Sequence, residues 1–123
     1  MKIMLLIGAG SFLGGVCRYL AAQLIQDKFL SAFPYGTLGV NLLGCFVIGL
    51  VFGWSERASL PVEWRLFLAT GFCGGFTTFS AFSNETLGLL RDGQFWSASV
   101  YVIASIVLGL VATLAGISLF KFV

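Results

Sequence analysis

Residues 71–85 read GFCGGFTTFSAFSNE. The stretch opens on glycines that loosen a helix, then sets Thr77, Thr78, Ser80 and Ser83 among phenylalanines, with no charge before Glu85. It falls inside an uncharged run, 66–84, of the length a bilayer-spanning helix needs, roughly 20 residues. Gly74 and Gly75 followed by the β-branched Thr77 and Thr78 predict a helix broken at its middle. Broken backbone at membrane depth survives only where something satisfies it. Freed carbonyls suit a cation and freed N–H groups an anion.

The rest of the chain supports a membrane setting. Of 123 residues, 59% are hydrophobic and 10% charged, and the mean hydropathy is +1.01, outside the usual range of a soluble domain. The charges cluster, leaving uncharged runs at 3–17, 29–55, 66–84 and 93–120. These predict four transmembrane helices at 2–24, 34–54, 64–90 and 95–120, in a single domain, 1–123, joined by short segments that hold nearly all the remaining charge. Trp54, Trp64, Trp96, Tyr19 and Tyr35 fall at helix ends, where amphipathic rings prefer the water interface. The first run is read as a span rather than a cleaved signal peptide, because GGVCRY lacks the small residue needed before a cleavage site.

Enzymatic chemistry is excluded on composition. There is no histidine and no cluster of acids, so neither an activated nucleophile nor a catalytic metal centre is expected. Cys17, Cys45 and Cys73 sit in apolar surroundings and read as small packing residues. GFCGGFTTF lacks the lysine of a nucleotide-binding loop. No nucleic-acid partner is expected.

Polar residues within the spans point to transport. Asn41 shares a face with Thr37, one turn earlier, and an amide in hydrocarbon needs a partner or a wet cavity. In the fourth span Tyr101, Ser105, Gly109 and Thr113 recur every fourth residue as one polar stripe. Phe79 and Phe82 lie three apart on one face, and the positive edges of their rings can steady an anion without a fixed charge. Gly10/Gly14, Gly49/Gly53, Gly71/Gly75 and Ala112/Gly116 have the spacing of close helix packing.

Three segments carry a family resemblance: GGVCRY in the first span, GTLGVNLLGCFVIG in the second and GFCGGFTTFSAFSNE in the third. With these the chain closely resembles the small bacterial fluoride channels of the CrcB, or Fluc, family. The resemblance implies an all-α integral membrane protein whose two copies insert in opposite directions. This antiparallel, dual-topology homodimer would carry passive fluoride export across the bacterial plasma (inner) membrane and protect the cell from fluoride. It implies further that Asn41, Phe79, Ser80 and Phe82 line the anion path and that Tyr101, Ser105 and Thr113 form its polar track. Arg18 and Glu85 would lie at an aqueous vestibule, and the carbonyls of Gly74 and Thr77 would hold a structural, untransported Na+ at the dimer interface. Ala81 departs from the threonine commoner at that place, so no hydroxyl is supplied there.

The residues themselves fit this implication. Fluoride is small and strongly hydrated, so a dry path must offer hydroxyls, amide N–H groups and ring edges in place of water. Lys2, Arg57, Arg65 and Lys121 on one side nearly balance Arg18, Lys28 and Arg91 on the other, which predicts insertion both ways. The alternative, a proton-coupled small-molecule exporter, needs a titratable carboxylate deep in the membrane. Glu85 is its one candidate, read here as lying toward the end of its helix near Arg91.

Overall fold

The structure, a computed structural model, describes residues 1–121. Four helical spans are long and apolar enough to cross a membrane: Lys2–Lys28, Tyr35–Arg57, Val62–Arg91 and Phe95–Leu119. The protein is a multi-pass membrane protein. Helix α1 (Lys2–Lys28) runs a full turn beyond the expected end at Leu24, because nothing in 25–28 breaks it. Helix α2 is Tyr35–Arg57, with Pro34 as its N-cap rather than its first residue.

The third span is a composite. It begins as a short α3 (Val62–Arg65), widens into a π-helical stretch (Leu66–Cys73), returns to α geometry in α4 (Gly74–Phe76), and resumes as α5 (Phe79–Arg91). Between α4 and α5 the backbone of Thr77 (φ −88°, ψ 157°) and Thr78 (φ −147°, ψ 119°) is extended. The expected break is present, and it lies at the two threonines. Gly74 and Gly75 are themselves helical, so their role is a different one. Helix α5 ends at Arg91, where Gly93 takes a left-handed conformation (φ 74°) and the Gly93 and Gln94 N–H groups bond the carbonyls of Leu90 and Leu89. Helix α6 (Phe95–Leu119) completes the bundle.

Glycines zip the helices into two close pairs. A Cβ at Gly10 would stand 2.5 Å from the Phe67 carbonyl oxygen, and one at Gly14 or Gly75 would collide with the carbonyl of Phe72 or Ser11. These contacts press α1 against the π-helical stretch and α4. Likewise, Cβ atoms at Gly49 and Gly116 would strike the carbonyls of Thr113 and Phe46, which presses α2 against α6. Lipid supplies no hydrophobic drive between helices, so backbone approach of this kind does the holding. Gly75 therefore serves packing.

The buried apolar side chains are few: Val40, Val51, Ala69, Cys73, Phe76, Leu89, Ala98 and Tyr101. Most large apolar residues face outward, as hydrocarbon surroundings allow, and among the described residues no charged side chain is buried.

Candidate functional site: a two-level polar ladder

Asn41 and the chain break are one unit. Thr78 donates its backbone N–H to Asn41 Oδ1 at 2.8 Å, while Asn41 Nδ2 donates to the Thr78 carbonyl at 3.0 Å. The pairing fixes the amide orientation, since only one assignment gives the N–H an oxygen and the carbonyl a nitrogen. It also leaves the second Nδ2 hydrogen uncommitted. Thr78 caps α5 in turn, its Oγ1 accepting from the Ala81 N–H at 3.2 Å and lying 3.3 Å from Ser80 Oγ. Ala81 thus contributes through its backbone.

One turn away, Glu85 collects two donors. Thr37 Oγ1 donates to Glu85 Oε1 at 2.6 Å, and the Tyr101 hydroxyl donates to Oε2 at 3.0 Å. Glu85 lies in the last two turns of the third span, as expected, and is tied there to α2 and α6. Tyr101 is fully buried, its ring 5.1 Å from that of Phe82 and 5.5 Å from that of Phe33 in an edge-on approach.

Three helices therefore each give one residue to two levels. Thr37, Glu85 and Tyr101 form the first level; Asn41, Phe82 and Ser105 form the second, displaced by one helical turn of about 5.4 Å. The first level borders a cavity of about 370 Å³ whose lining includes Arg18, Tyr19, Gln23, Gln26, Thr37 and Glu85. The second borders a cavity of about 380 Å³ whose lining includes Asn41, Cys73, Thr77, Phe79, Phe82 and Ser105. Ser105 Oγ is buried there with no hydrogen-bond partner. Such an orphan among the described residues costs on the order of 1–3 kcal/mol unless a water or an ion meets it.

The expected site residues divide accordingly. Arg18 and Glu85 line one cavity, and Arg18 also donates its Nε–H to the Gly75 carbonyl at 3.2 Å. Asn41, Phe79, Phe82 and Ser105 line the other. The Phe79 and Phe82 rings stand 5.5 Å apart at 42°, and Phe79 is 77% exposed, so this cavity opens at the surface of a single chain. Ser80 is exposed beside it. Thr113 is absent from both linings; its hydroxyl bonds its own helix at Gly109, 3.0 Å away, where the α2 and α6 backbones close together. Thr77 likewise bonds back to Cys73 through its hydroxyl at 2.9 Å, while the carbonyls of Gly74 and Thr77 accept no hydrogen bond from the described residues.

Sequence reasoning missed Gln26. Its amide holds the 29–34 connection, with Nε2 donating to the carbonyls of Ser31 (3.0 Å) and Phe33 (3.2 Å) and Oε1 accepting from Gly36 (3.0 Å). Nothing singled it out in the sequence, where it stands beside Asp27 and Lys28 in a polar last turn.

Comparison with known proteins gives the chain's family. The family model described as CrcB-like protein, Camphor Resistance (CrcB), matches residues 5–117. A protein of Chlorobium phaeobacteroides named fluoride-specific ion channel FluC is 48% identical over 96% of this chain and 92% of its own. Proteins of the same name from Geobacter sulfurreducens (50% identical, 95% of each chain) and Bacteroides fragilis (45%, 94% of each) align as fully.

Proposed function

The chain belongs to the CrcB family, and on that premise we propose that it is a fluoride-specific ion channel, letting fluoride leave the cell down its gradient and so limiting its toxicity. The observation that carries the reading is the ladder: hydroxyls, one amide and two phenyl rings, with the partnerless Ser105 Oγ at its second level. Fluoride gives up its water only to several donors at once. The uncommitted Nδ2 hydrogen of Asn41, the Ser105 hydroxyl and the edges of Phe79 and Phe82 are donors of that kind, and none carries a full charge. Weak sites in series release an ion as readily as they accept it.

Arg18 and Glu85 sit at the mouth of this path. The guanidinium raises the local anion concentration, and the carboxylate, engaged by Thr37 and Tyr101, offsets that charge and prevents trapping. Beyond the second cavity the glycine contacts between α2 and α6 close the route within one chain. A second copy is needed to continue it, and the exposed Phe79 marks the open side.

The assembly in this reading is a homodimer of two oppositely inserted copies in the bacterial inner membrane, consistent with the near balance of positive charge at the two ends. A twofold axis running beside the break, which is the arrangement proposed, would set the Gly74 and Thr77 carbonyls of both copies facing one another. Two partnerless oxygens per chain give four, which suits a hard cation such as Na+. Such an ion would supply positive charge that joins the two broken helices.

Fluoride efflux from liposomes holding the purified protein tests the proposal. Efflux with no proton gradient, unchanged when one is imposed, is expected; efflux that requires the gradient would mean a coupled exporter.

A further inference from the structure

The interactions around Glu85 form a closed ring that begins and ends at Gln26. Gln26 Oε1 accepts from Gly36 at 3.0 Å, and Gly36 precedes Thr37, whose hydroxyl donates to Glu85. Gln26 Nε2 donates to the Phe33 carbonyl at 3.2 Å, and the Phe33 ring rests edge-on against Tyr101, whose hydroxyl donates to the other oxygen of Glu85. A single amide at the end of α1 thus anchors both residues that grip the carboxylate, although it touches neither. The backbone leaves little slack, because a Cβ at Gly36 would stand 2.5 Å from the Ala22 carbonyl of α1.

We propose that Gln26 is the positioning residue of the channel mouth: its amide sets Thr37 and Tyr101 against Glu85 and thereby fixes the first level of the ion path. The inference rests on the channel reading above. Both arms of the amide are used, one as acceptor and one as donor, and no other residue type of this length offers both without charge. Loss of the amide frees the 29–34 connection, so Thr37 and the Phe33 ring lose their common anchor. A displacement on the scale of 1 Å at a site that orients an ion is enough to cost an order of magnitude in rate.

The test compares wild type, Gln26→Met and Gln26→Glu for fluoride flux in liposomes, with helical content and elution volume in detergent as controls of folding. Gln26→Met, of similar length but without either arm, is expected to lower flux about tenfold with folding unchanged. Gln26→Glu keeps the acceptor and turns the donor into a second acceptor facing the carbonyls of Ser31 and Phe33. Protonation of the introduced carboxyl restores an O–H donor to those carbonyls. Its flux relative to wild type is therefore expected to be low near pH 7.5 and to rise as the pH is lowered toward 5. Arg18, Tyr19 and Glu85 in the same cavity and the neighbouring Asp27 and Lys28 are common to all samples, so the parallel wild-type series cancels their own response to pH, and protein-free vesicles give the background from undissociated acid.

Wild-type flux with both variants equal to it at every pH overturns the positioning role alone. Reduced flux in Gln26→Glu that does not recover on acidification also overturns it, and assigns Gln26 to folding. No flux in wild type overturns the channel reading itself. If Gln26→Met does not reconstitute, the pH series on Gln26→Glu decides, since both arms of that comparison use one folded sample.

Discussion

Asn41 and Thr78 exchange two hydrogen bonds across the broken third span, at 2.8 Å and 3.0 Å, and so replace the helix bonds that the extended threonines give up. The amide is both the splint of the break and a wall of the second cavity. Asn41→Leu should leave the Thr78 N–H and carbonyl unpaired, at roughly 1–3 kcal/mol each, and should lower both thermal stability in detergent and fluoride flux. Asn41→Asp keeps the acceptor for the N–H but sets a carboxylate oxygen against the Thr78 carbonyl, so it should also lose flux. Full flux in either variant would separate the splint from the path.

Phe79 and Phe82 offer a cleaner separation of bulk from electrostatics. Isoleucine at either position keeps volume and apolarity and removes the ring quadrupole, a loss of about 1 kcal/mol of anion stabilisation. Flux should fall by several-fold, while isoleucine at Phe46 or Phe52, which line neither cavity, should leave it near wild type. Equal flux in all four variants would remove the ring edges from the path.

Packing by glycine predicts position-specific intolerance. Gly14→Ala and Gly116→Ala drive a methyl group into a neighbouring backbone carbonyl and should each cost about 1–3 kcal/mol of stability, read as a lowered thermal midpoint in detergent. Gly88, with open space where a Cβ would stand, should accept alanine without loss. A midpoint for Gly116→Ala equal to that of Gly88→Ala would contradict the zipped pairing of α2 with α6.

The paired carbonyls make a further expectation. Exhaustive replacement of sodium by a large organic cation during purification and reconstitution should weaken the proposed dimer, seen as later elution, the mark of dissociation into single chains. A shift toward the single chain supports a bound cation at Gly74 and Thr77; unchanged elution would mean that their carbonyls are satisfied in another way.

The four spans were legible because charge clusters mark every membrane exit, and the glycine spacings foretold which faces pack closely. The break was legible too, though its cause was misplaced. Glycine weakens a helix everywhere, but here close contact with α1 holds Gly75 helical, Gly74 stays helical beside it, and the β-branched pair after them yields instead. The π-helical widening of 66–73 left no trace, since a segment apolar on every face has no periodicity to shift. Partners distant in sequence were equally hidden. Asn41 announced the need for a partner but not that Thr78 would meet it, and Thr113, read as part of one stripe, turned its hydroxyl back on Gly109.

If fluoride itself crosses passively along the ladder, it alone sets the reversal potential of the current through the purified protein in a planar bilayer with unequal fluoride on the two sides and chloride as the other anion. That potential should lie at the fluoride equilibrium value and should not move when a pH gradient is added. A reversal potential that follows chloride, or that shifts with the proton gradient, would contradict passive fluoride permeation.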